Sequence, residues 1–154
     1  MAYYLSTERE NDCAGAYRRY LDYLRKHKEK FPPSAFALGT ENWYQNAYDH
    51  KCPHDARVEN FTISESRDEK GERSVTILTR LSARYGDGFI ELFYPKVFSY
   101  NLILPSCNEG HKDWVYDEFR LSESGHVIHE IEWRDYNASW IIEASDVNYK
   151  WIPK

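Results

Sequence analysis

No apolar run in the sequence approaches the ~20 residues that a membrane-spanning helix needs. Met1-Ala-Tyr-Tyr-Leu5 has no basic stretch followed by an apolar one, so no secretory leader is read there. Cysteine is sparse and odd in number: Cys13, Cys52 and Cys107 make three. These absences predict a cytoplasmic chain with free thiols and no membrane association. Basic charge is also short. The formal net charge is −5, which argues against nucleic-acid binding, since that needs a positive footprint on the phosphates. No phosphate-binding glycine loop, G-x-S-x-G or dinucleotide fingerprint occurs. There is no internal repeat, low-complexity tract or linker.

What is present is a globular composition. At 154 residues and 42% hydrophobic, the chain can bury a core as a single domain, 1–154. Aromatic residues make up 16%, with 13 Tyr and 5 Trp. Such residues fill sheet cores and also suit interfaces, because each pairs a large apolar body with a polar tip.

The stretch from Trp114 to Trp151 reads as three antiparallel strands, Trp114–Leu121, His126–Trp133 and Trp140–Tyr149. Ser122–Gly125 supplies a hairpin turn and Asp135–Ser139 a second. On the middle strand, a period of two puts Val127, His129, Ile131 and Trp133 on one face. The other face carries His126, Ile128, Glu130 and Glu132, and with Glu118 it should be wet and acidic.

Upstream, Thr7 and Glu10 fit a capping box for a helix running to about Lys30. Tyr17, Tyr20, Leu21 and Leu24 form its apolar stripe, which should lie across a sheet face, and Phe31-Pro32-Pro33 ends it. A membrane-surface role for this helix is disfavoured by Asp22 and Glu29 in its basic face. Ser34 and Thr40 could each cap a short helix, with Gly39 as a breaker between them. Strands are expected at Ala56–Ser66, with Phe61 and Ile63 inward, and at Ser74–Tyr85. Two more follow at Phe89–Tyr94 and Val97–Leu104, where Pro95 ends or bends the first. With no βαβ spacing, the fold class is α+β: an N-terminal helix, within a helical region 1–48, packed on an antiparallel meander of about seven strands over 56–151. The sheet could be open, curved or partly closed.

Candidate chemistry concentrates in His50-Lys51-Cys52-Pro53-His54-Asp55. Zinc takes nitrogen and sulfur ligands, and Cys107 and His111 could complete a set with Cys52 and His50 or His54. The spacing matches no standard finger. The plainer reading is a loop in which His54 and Asp55 fix entry into the next strand. Cys52 beside His54 or His50 could also be a nucleophile and base, although no oxyanion loop is readable nearby. His126 and His129 fall on opposite faces of a strand and cannot share a metal, so His129 reads as a core histidine. Asp117, Glu118, Glu130 and Glu132 invite a paired-carboxylate reading, but a solvated acidic face explains them as well.

The runs His50–Asp55, Asp113-Trp-Val-Tyr-Asp-Glu-Phe-Arg-Leu-Ser122, His129-Glu-Ile-Glu-Trp133 and Ile142-Glu-Ala-Ser-Asp-Val147 resemble those of small bacterial single-domain proteins with no assigned activity. In size and acidity such chains are similar to immunity proteins that neutralise toxins. The resemblance implies a non-catalytic binding protein docking a basic protein partner. Trp114, Tyr116, Glu118, Glu130 and Glu132 would be its contact face. The alternative is a small-molecule or metal-binding protein, with or without catalysis, using a pocket near His54, Asp55 and His129.

Overall fold

The computed structural model describes residues 2–105, 108–136 and 138–154. Two helices, α1 (Cys13–Lys26) and α2 (Pro33–Thr40), precede seven strands. These are β1 (Arg57–Arg67), β2 (Arg73–Ser82), β3 (Gly88–Ile103), β4 (Trp114–Leu121), β5 (Val127–Trp133), β6 (Ser139–Ala144) and β7 (Asn148–Pro153). All pairings are antiparallel, in the order β1-β2-β3-β6-β5-β4, with β7 also on β3. The sheet is not closed, and the fold is α+β as expected. No described helix is long and apolar enough to cross a membrane.

The strands are partitioned differently from the expectation. Phe89–Tyr94 and Val97–Leu104 join into the single strand β3. Pro95 bends it without ending it: the β2–β3 register slips between Val75↔Val97 and Ile77↔Tyr94, and the extra residue is absorbed as a bulge. Conversely, the expected strand Trp140–Tyr149 is cut in two. β6 runs along the second half of β3 and β7 along the first. The break falls at Ser145–Val147, where Asp146 leaves the ladder to accept from the amides of Ser34 (3.2 Å) and Ala35 (2.8 Å). A carboxylate at the first turn of α2 satisfies orphan donors and suits the helix dipole.

The helices also differ at their ends. Thr7–Glu10 is a separate 3-10 turn, and α1 begins after Asp12, whose side chain accepts from Gly15 N at 2.9 Å. Lys28–Lys30 is a second 3-10 turn beyond the end of α1. Of the two short helices expected, the one capped by Ser34 is present as α2, with Pro33 in its first turn, whereas the one expected from Thr40 through Tyr44 is not: α2 ends at Thr40 and 42–45 is a turn. Gly39 sits inside it for close packing: a Cβ there would lie 3.0 Å from Phe119 and 3.2 Å from Leu24.

One hydrophobic cluster runs from Tyr20 and Leu24 of α1 through Ile77, Leu81, Ile90 and Leu92 to Ile131, Trp133 and Trp140. The inward face of β5 is as expected, with Val127, His129, Ile131 and Trp133 all buried. Ile63, expected inward, is 43% exposed, because β1 is an end strand with little packed over it. Val58 and Phe61 are the residues of that strand that reach the core, Phe61 lying 4.7 Å from the Trp140 ring. Tyr85, placed with the inward residues of the second strand, is exposed beyond its end.

α1 packs against β4, the other end strand. The hydroxyls of Tyr20 and Tyr23 accept from the amides of Phe119 (2.7 Å) and Leu121 (2.9 Å). These donors point away from β5 and would otherwise be unpaired. Higher up the same edge, Asp55 N donates to Trp114 O and Trp114 N donates to Ala56 O.

Candidate functional site

The acidic face expected on β4 and β5 exists as a register but is covered. Glu118 stands opposite Glu130 and Tyr116 opposite Glu132. Glu118 is fully buried. Its carboxylate accepts from the amides of Tyr3, Tyr4 (2.6 Å) and Leu5 (2.9 Å), because the N-terminal segment lies over this part of the sheet. Arg120 bridges Glu118 and Glu130. Arg9, itself buried, pairs with Glu132 at 2.8 Å and stacks 4.2 Å from the Tyr116 ring. Burial raises the pKa of Glu132, and Arg9 pulls against that. Trp114 is buried against Trp133. The expectation of an open docking face at Trp114, Tyr116, Glu118, Glu130 and Glu132 is therefore corrected. Alternation placed the glutamates on the right side of the sheet but could not show the segment that folds over it.

The paired-carboxylate arrangement is likewise absent among these four residues. Asp117 points to the opposite face from Glu118, and Glu118 and Glu130 are held by one arginine. No pair is left facing an open gap in which a sugar could sit.

On the inner face a chain of hydrogen bonds crosses the core. Tyr94 OH lies 2.7 Å from His129 Nδ1, and His129 Nε2 lies 2.7 Å from Asp117 Oδ2. Tyr44 OH donates to the same oxygen at 2.7 Å. All four residues are buried. Burial first, and the field of Asp117 next, raise the pKa of Tyr44 and Tyr94 well above that of a free phenol. Their hydroxyls therefore remain protonated. His129 is thus a core histidine satisfied on both ring nitrogens, and His126 on the other face binds Glu143 at 3.0 Å.

Next to Asp117 lies a cavity of about 280 Å³, where the segment after α2 crosses β4. Tyr44, Cys52, His54, Trp114, Tyr116 and Asp117 are among its lining residues. His54 bonds Val115 O through Nδ1 at 2.8 Å. Cys52 is buried, its thiol donating to Tyr44 O at 3.0 Å, and burial pushes its pKa up to about 12. A thiol so held is not a ready nucleophile near neutral pH, which weakens the nucleophile–base reading. Asp55 has φ of +62° and ties Arg134, Arg84 (3.5 Å) and His54 (3.6 Å) together. It organises the rim and is not among the lining residues.

The other proposed metal ligands diverge. His50 binds Asp87 at 2.5 Å and stacks on Tyr85. His111 packs against both Trp133 and Trp140, its pKa lowered by burial. Cys107 lies outside the described residues. Among the described residues no group of three or more His, Cys, Asp or Glu could hold a metal ion. Zinc therefore has no described ligand set.

Sequence reasoning missed Tyr44, Tyr94 and Asp117 as one network. The one local signal that could have found it is the period of two, which turns Asp117 away from the face that carries Glu118. No family model matches the chain, and no curated protein or solved structure matches it either.

Proposed function

We propose that this chain is a non-catalytic binding protein, immunity-like in kind, that docks a basic protein partner on the uncovered half of its sheet. The observation that carries the reading is the exposure of Ile103 (47%), Leu104 (46%) and Ile141 (36%). In the β3–β6 register Asn101 faces Ile141 and Ile103 faces Ser139, so the two isoleucines are diagonal neighbours on one face. It is the same face that carries Glu130, which stands opposite Ile141, and Glu143. The N-terminal segment lies over its β4 end, as its bonds to Glu118 mark, and Ile103 and Ile141 stay open. An apolar patch bordered by Glu130 and Glu143, which are paired with Arg120 and His126, lies on a chain of net charge −5 and suits an apolar contact on a partner of opposite net charge. The burial of Tyr94, His129 and Asp117 supports a structural task for these groups over a catalytic one.

The test is co-expression with the basic proteins encoded beside this chain, followed by size-exclusion chromatography at rising salt. The expected result is a stoichiometric complex that weakens with salt and is lost in Ile141→Arg, a surface change that leaves the fold intact. A complex indifferent to both Ile141→Arg and Ile103→Arg would overturn the docking surface. Absence of any complex with a basic neighbour at low salt would overturn the function.

A further inference from the structure

The geometry points to a second, separate site: the cavity beside Asp117 takes a small organic cation, a primary ammonium head of about the size of methylammonium. Asp117 is 1% exposed and lines the cavity. Both of its hydrogen bonds, from Tyr44 OH and with His129 Nε2, fall on Oδ2. Oδ1 receives none from the described residues, so it is the oxygen a guest in the cavity would meet. An ammonium group reaching that oxygen would form a charge-assisted hydrogen bond, while Gln45 Nε2, a lining nitrogen buried without a partner among the described residues, could bond an acceptor on the guest's tail.

The walls favour a cation for a second, independent reason. Tyr4, Tyr44, Trp114 and Tyr116 all contribute to the lining, and aromatic faces attract ammonium groups through the ring quadrupole. No Lys or Arg is among the lining residues. Two of the described arginines touch lining residues and both are already engaged, Arg9 with Glu132 and the Tyr116 ring and Arg84 with Ala47 O and Asp55. The negative field of Asp117 reaches the hydroxyl of Tyr44 and the thiol of Cys52, raising both pKa values after burial has done so. The volume, about 280 Å³, suits a head group with a short tail and falls at the lower end of ordinary ligand pockets. His54, anchored to Val115 O, holds one wall in place.

The experiment titrates the whole protein with methylammonium chloride and follows backbone amide resonances by NMR. Sodium chloride and sodium acetate serve as ionic controls. The expected result is a saturable shift confined to residues near Tyr44 and Trp114–Asp117, seen with methylammonium and with neither control. Two variants sharpen it. Asp117→Asn keeps the shape and removes the charge. Ala47→Leu fills the cavity from its wall without touching Asp117. Each should weaken binding about tenfold or more. If Asp117→Asn does not fold, Ala47→Leu decides alone. No saturable shift at millimolar methylammonium, an equal response to acetate, or undiminished binding in Ala47→Leu would each overturn the site. None of these outcomes bears on the docking surface, whose residues Ile103, Leu104 and Ile141 are not among those lining the cavity.

Discussion

The two ends of the sheet solve the same problem in opposite ways. An end strand exposes a row of unpaired amides and carbonyls that invites unwanted pairing. β4 is sealed. Tyr20 and Tyr23 accept its outward amides, and the chain at 55–56 pairs with Trp114. Glu118, and Glu130 and Glu132 on the neighbouring β5, are absorbed by arginines or by the N-terminal backbone. β1 is left bare. Most of its residues are exposed, and it carries Arg57, Glu59, Glu65 and Arg67 along its length. The first end uses burial and specific acceptors, whereas the second relies on solvated charge. Position matters more than residue type here: a glutamate is a structural keystone at one end and a surface residue at the other.

The largest expected effect tests that contrast directly. Glu118→Ala strips the acceptor from three backbone amides and removes one of the two carboxylates paired with Arg120, and should cost on the order of 3 kcal/mol in urea unfolding. Glu65→Ala, whose only described ion pair is an exposed contact with Arg73 at 3.6 Å, should stay within about 0.5 kcal/mol. Equal losses at the two positions would break the comparison. Tyr20→Phe is the next test. It removes the hydroxyl that accepts from Phe119 N in a buried setting, and should cost roughly 1–2 kcal/mol. Hydrogen exchange at Phe119 should accelerate with it, while amides of β1 stay unchanged.

The smallest effect is a pH dependence. Partial burial against two tryptophans lowers the His111 pKa below its ordinary 6.5. The unfolded chain therefore binds the proton more readily than the folded one. The stability this contributes is present above 6.5 and is lost as pH falls through the lower folded value. Replacing His111 with Phe should flatten the stability profile on the acid side of 6.5, as read from thermal unfolding at several pH values. An unchanged slope would place the acid sensitivity elsewhere.

How much of this could be read from residue order depends on how local each feature is. The alternation of Val127 to Trp133 is a local pattern, and β5 follows it residue by residue. The faces of Glu118 and Glu130 follow from the same period of two, but their accessibility does not. That depended on Tyr3, Tyr4 and Leu5 arriving from the far end of the chain, a contact with no local signature. The division of β6 from β7 was hidden for a related reason. Ser145-Asp146-Val147 carries no Pro or Gly to mark a break, and Asp146 leaves the ladder only because α2 presents unpaired amides nearby. Pro95 misled in the other direction, since a bulge lets a strand continue past a residue that cannot donate. The network of Tyr44, Asp117, His129 and Tyr94 joins residues from four separate segments, so no spacing rule could assemble it.

β3 serves two neighbours in series along one side, β7 and then β6. The pairings of β1 with β2 and β2 with β3 link segments adjacent in the chain, as do those of β4 with β5 and β5 with β6. Each of these two ribbons can therefore zip from a nearby turn. Their union cannot: it must bring Gly88 to Pro153 and Ile103 to Ser139, a search over distant chain whose entropy falls due before any contact repays it. The assembly of this protein is thus two quick local events and one slow docking, and the seam along β3 is where its folding speed is decided.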